Sequence, residues 1–158
     1  MKNYVLAAIF FILFVLTYEL LKIDIVIHET SHYLVGKLLG GDCTIRLYWK
    51  GGGETVCKFA YITKGGLILY SLAGVLAELF VSLILLAFPF TSALGGYMFY
   101  STALSNFAGA YTTDFNTIGF YVPLNPVFRV LFLMIGIIVL LLNILRYFKF
   151  FLKYKTKK

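Results

Sequence analysis

Charge is scarce in this chain. Asp, Glu, Lys and Arg make up 13% of its 158 residues, against roughly 25% in an ordinary soluble domain. With 61% apolar residues, 18% aromatics and a mean hydropathy of +0.89, so short a chain has too little interior to hide its apolar surface from water. A water-soluble globular domain is excluded, and so is a disordered chain, which needs the opposite composition. Two cysteines reveal little about redox compartment. Two histidines and few acids argue against a metal-transport path, which needs further ligands along it. There is no internal repeat and no low-complexity tract.

The net charge of +7 does not point to nucleic acid. Lys149, Lys153, Lys155, Lys157 and Lys158 crowd the end of the sequence after a long apolar run, the usual positive flank of a membrane span that meets anionic headgroups. No basic stripe interleaved with base-stacking aromatics accompanies them.

Four apolar runs stand out: 4–21, 66–88, 93–111 and 127–148. Each has about 18 residues or more, enough to cross a hydrocarbon core. The first lacks a small-residue cleavage site and reads as a retained anchor. Residues 25–39 continue as helix up to the stop signal Gly40-Gly41. One helix over 4–39 would be ~54 Å long, too long for a straight crossing, so a break is expected near Lys22 to Asp24. The fold class is a mainly α-helical membrane protein, a bundle of four to five transmembrane helices. It forms a single domain over 1–158, with a basic tail at 146–158. Pro123 and Pro126 break any helix in the linker 116–126.

Residues 43–62 change period. Cys43, Ile45, Leu47 and Trp49 alternate with polar neighbours, as do Thr55, Cys57, Phe59 and Tyr61 after Gly51-Gly52-Gly53. This predicts an amphipathic β-hairpin with a glycine turn. Pairing Trp49 with Thr55 and Leu47 with Cys57 gathers the apolar sets on one face. That register puts Cys43 opposite Tyr61 and predicts no disulfide.

Within the helix preceding the hairpin, His28-Glu29-Thr30-Ser31-His32 has the form His-Glu-x-x-His. A spacing of four puts both imidazoles on one helical face, able to grip one Zn²⁺. Glu29 beside them is placed to take a proton from water that the ion acidifies. Ionisable groups at lipid depth each cost several kcal/mol unless paired or facing a cavity, so they mark function by default. A catalytic zinc needs a third protein ligand; Asp114, Glu78 and Asp24 are the candidates, Asp42 and Glu54 being solvated hairpin residues.

In these motifs the chain resembles the site-2 protease family of intramembrane zinc metalloproteases, close to its short bacterial and archaeal branch. The resemblance covers roughly 20–120. It rests on His28 to His32 followed by Gly40-Gly41, and on the hairpin with its Gly51-Gly52-Gly53-x-Thr55 turn. It rests also on Ser71-Leu-Ala-Gly-Val-Leu-Ala-Glu78 and on Asn106 eight residues before Asp114. It implies zinc ligation by His28, His32 and Asp114, with Glu29 as general base and Asn106 holding the substrate or its oxyanion. It also implies a multi-pass protein of a prokaryotic cell membrane that cleaves in or near a transmembrane segment of a membrane-protein substrate, with the substrate bound by strand addition to the hairpin. The chain departs from the family at Val75 (for proline), Glu78 (for asparagine), Gly109, Phe115 and Thr30-Ser31. The alternative is therefore a catalytically silent homologue acting as a membrane binding or regulatory module. Orientation is pulled two ways: the basic tail favours a cytoplasmic C-terminus, whereas the family tends to place its hairpin in the cytoplasm.

Overall fold

The computed structural model describes residues 2–48, 52–108 and 126–153. Among them the chain order is α1 (Lys2–Leu21), α2 (Ile23–Leu38), β1 (Asp42–Leu47), β2 (Gly53–Lys58), α3 (Lys64–Ala87), α4 (Ser92–Ala108) and α5 (Pro126–Lys153). The fold is mainly helical with one antiparallel two-stranded hairpin. Helices α3 and 127–153 of α5 are each long and apolar enough to cross a membrane. A bent pair, Val5–Leu21 with Ile23–Leu38, passes the same test together. Only 6% of the apolar stretch of α5 is buried within the protein, a surface suited to lipid and unsuited to water.

The expected break falls at Lys22, whose backbone is left-handed (φ 50°, ψ 46°). An L-residue in that region costs about 1–2 kcal/mol. The turn separates α1 from α2 with a bend of 47°. An ion pair between Lys22 and Glu19 at 3.7 Å and the Val26 N–H donated to the Lys22 carbonyl at 3.1 Å flank it. Asp24 lies in the first turn of α2, where a negative charge suits the helix dipole. At the other end Gly40 takes φ +81°. The N–H groups of Gly40 and Gly41 close back on Lys37 O and Gly36 O, the glycine stop in Schellman form.

The hairpin is present but in a different register. Cys43 pairs with Cys57, Ile45 with Thr55 and Leu47 with Gly53, and Cys43 and Cys57 form a disulfide. The expected pairing of Leu47 with Cys57 and the expected absence of a disulfide are both corrected. The slip is an even number of residues, so the same side chains still face inward. Its cause is packing against α2. A Cβ on Gly53 would lie 2.8 Å from Glu29 Cγ and 2.9 Å from Ile25 Cγ2, so a glycine belongs inside the strand rather than in the turn. Gly52, at φ +104°, makes the turn instead, its carbonyl accepting from Tyr48 N–H at 3.1 Å. Outside, Glu54 accepts from Tyr48 Oη at 2.6 Å and from Arg46 at 3.4 Å; the Glu54 carboxylate beside it raises the exposed Tyr48 phenol above its usual pKa.

Helices α3 and α4 return antiparallel through a short turn, with Thr63 capping α3 by accepting from Gly66 N–H. Buried Met98 and Leu94 of α4 pack with Tyr18 of α1, and Ile23 and Ile27 of α2 join them. Gly95 lets the backbones touch: a Cβ there would sit 2.7 Å from both Leu86 N and Ser82 O. Gly95→Ala should therefore destabilise the protein by about 1–3 kcal/mol. Gly65→Ala, in open space, should be neutral or stabilising by up to about 1 kcal/mol. Thermal unfolding in detergent measures both.

Candidate metal centre

Helix α2 presents two sets of polar groups to two neighbours. His28 and His32 face α3, and Glu29 faces the hairpin. The helical spacing stacks the two imidazoles with ring centroids 4.8 Å apart and brings their Nε2 atoms to 3.1 Å. Each ring is fastened at its other nitrogen. His28 Nδ1 lies 2.8 Å from Glu78 Oε1, and His32 Nδ1 lies 2.8 Å from the Tyr70 carbonyl. The close approach is permitted by Gly74, where a Cβ would come within 2.5–2.6 Å of the His28 ring.

These partners assign the tautomers. A carbonyl oxygen only accepts, so His32 Nδ1 carries the hydrogen and donates it. The Glu78 carboxylate assigns the same role to His28 Nδ1. In the neutral rings both Nε2 atoms are then acceptors, aimed at one another. Two lone pairs converging at 3.1 Å form a donor pair that a cation can bridge. Two nitrogen ligands of a tetrahedral zinc, at bonds of 2.0–2.1 Å, stand about 3.3 Å apart. The donor set and its spacing fit that ion.

Glu29 and His32 are buried, at 8% and 7% exposure, as is Glu78 at 5%. Over Glu29 lies Gly53, and Thr55 Oγ1 donates to the Glu29 carbonyl at 2.8 Å. Tyr70 Oη in turn donates to the Thr55 carbonyl at 3.0 Å, tying α3, β2 and α2 together around the pair of histidines. Asn106 is buried at 4%, and its amide donates to Thr102 O within α4 at 2.9 Å. Asp114 lies outside the described residues, as do Gly109 and Phe115. Among the described residues no group of three or more His, Cys, Asp or Glu side chains forms a metal cage.

Glu78, one of the candidate third ligands, fastens the His28 ring at Nδ1, on the opposite edge from Nε2; its place within an apolar helix was the signal. One polar feature here was not expected from sequence. Further toward the bend, Tyr18 Oη and Asp24 Oδ1 are buried without a hydrogen-bond partner among the described residues; a Tyr in an apolar run carries no such signal.

No family model, curated protein or solved structure matches this chain. The functional reading therefore stands on the motifs and on the geometry of the two histidines.

Gly74→Ala should push the His28 ring away from Glu78 and lower zinc affinity about 10–100-fold, the range for disturbed ligand orientation. Gly65→Ala should leave it unchanged. Competition with a chromophoric chelator reads both.

Proposed function

We propose that this protein is an intramembrane zinc endopeptidase, hydrolysing a peptide bond in or near the transmembrane segment of a membrane-protein substrate. The observation that carries the reading is the convergence of His28 Nε2 and His32 Nε2 at 3.1 Å, each ring with its Nδ1 on an acceptor. His28 and His32 would hold the ion, with Asp114 as third protein ligand. When bound, zinc supplies Lewis acidity to the scissile carbonyl and to the attacking water.

The chain's own residues do the rest. Glu29, adjacent to His28 and screened from solvent by the hairpin, takes the proton from the attacking water and delivers it to the leaving amine. Asn106 contributes an amide to the substrate or its oxyanion. The hairpin offers strand edges on which an unwound substrate segment can be held extended, since a helical backbone hides its carbonyls. In a bilayer the bent pair α1–α2 makes one crossing and α3, α4 and α5 one each, four in all. The second reading, a silent homologue that binds without cutting, draws on Glu78 standing at the family's asparagine position.

Purified wild-type protein should contain zinc at one equivalent, and His28→Ala should lose it. Glu29→Gln should retain zinc and lose cleavage of a membrane-anchored substrate. Cleavage by that variant would overturn the assignment. Zinc without any cleavage by the wild type would favour the silent homologue.

A further inference from the structure

We propose that Glu78 is the positioning residue of the metal site, holding His28 in the tautomer that presents Nε2 to the ion. This deepens the zinc reading and rests on it. Glu78 Oε1 lies 2.8 Å from Nδ1 and so engages the ring on the edge away from the Nε2 pair. The carboxylate is almost fully buried, its side chain 7% exposed against 25% for His28. A buried anion at this depth costs several kcal/mol unless paired, and the imidazole N–H of His28 is its partner. A metal-bound histidine commonly donates its other N–H to a carboxylate, which orients the ring and makes it a better donor to the metal. His32 obtains the weaker version of this support from the Tyr70 carbonyl. At Nδ1, among the described residues, one ligand is thus backed by a carboxylate and the other by a peptide carbonyl. Gly74, one turn before Glu78, opens the space in which the ring meets the carboxylate.

The test uses full-length protein without a polyhistidine tag. Glu78→Ala and the isosteric Glu78→Gln are compared with wild type by zinc competition and by ¹⁵N imidazole NMR of the zinc-free protein. Only two histidines are present, so the spectrum contains two rings. Zinc affinity should fall about 10–100-fold in both variants, and the His28 ring should lose its Nδ1–H tautomer in Glu78→Ala, with thermal stability of Glu78→Gln close to wild type. Wild-type affinity together with an unchanged His28 tautomer in both variants overturns the role of Glu78. One-to-one zinc retained by His28→Ala overturns the metal reading instead, and the two failures are therefore distinct.

A separate observation, the Cys43–Cys57 disulfide, carries a second inference. We infer that the hairpin end of the protein faces the oxidising, extracytoplasmic side and the Arg146 end the cytoplasm, as the basic tail favours and the reverse of what the family resemblance implies for the hairpin. Disulfides persist in oxidising compartments and are rare in the cytosol of most organisms. The two ends are held apart by α3, which begins at Lys64 beside the hairpin and runs 24 residues, about 36 Å. At its far end the Arg146 guanidinium donates to Leu86 O at 2.7 Å and Ala87 O at 3.4 Å. Tyr147 Oη donates to Ala7 O at 3.1 Å, which places the early turns of α1 at that end too. Arg146, Lys149 and Lys153 gather there, and Lys155, Lys157 and Lys158 follow in the sequence, the basic flank expected inside the cell.

Cys43 and Cys57 are the chain's only cysteines, so a membrane-impermeant maleimide reports the hairpin alone. In intact spheroplasts the natural protein should be unlabelled until an impermeant reductant is added, and should then take two labels. Labelling that requires permeabilisation overturns the orientation. Labelling without reductant overturns the disulfide on which the inference stands.

Discussion

The contact between His28 and Glu78 is the constraint around which the rest of the molecule is arranged. Both groups lie within helices whose other residues are mostly apolar, where an unpartnered ionisable side chain is costly. At 2.8 Å each satisfies the other across the contact of α2 with α3. That packing requires Gly74 under the imidazole ring and brings His32 to the Tyr70 carbonyl. The convergence of the two Nε2 atoms then follows from the helix repeat.

The adjacent side of α2 is held by the hairpin. The disulfide of Cys43 and Cys57 seats against Gly36, where a Cβ would collide with both sulfurs. Thr55 bonds to the Glu29 carbonyl, and Tyr70 of α3 bonds to Thr55. The short helix carrying His28, Glu29 and His32 is in this way clamped between a sheet and a helix, while α5 leaves most of its apolar surface outward. Hydrogen bonds and the disulfide converge where the proposed chemistry needs ligands held in a fixed geometry. The bend at Lys22 serves the same end, because α1 and α2 could not pack on their separate neighbours as one straight helix.

The helices, their stops and the break near Lys22 were legible because apolar run length, glycine stops and the limit on a straight span are local properties. The two histidines and Glu29 were legible for a related reason: charge is so scarce in this chain that a His-Glu-x-x-His pattern within an apolar stretch stands out. The hairpin register was not legible. Matching large apolar residues across the strands ignored that Gly53 must lie inside the strand to admit Glu29 and Ile25 of α2. The disulfide followed from the corrected register, not from the spacing of the cysteines. Asn106 was legible only through the family motif, and its amide donates to Thr102 O within its own helix.

Glu78 draws the line between the two levels of description. By itself the sequence determined that an acid stands in the third helix and that two histidines share a face of the second. Helix periodicity and the cost of burying charge suffice for that. Only the tertiary structure decided that the acid meets Nδ1 of His28, and that both histidines turn their Nε2 atoms toward one point. A contact between residues fifty positions apart depends on how two helices cross, and that close crossing is permitted by Gly74, one turn before Glu78.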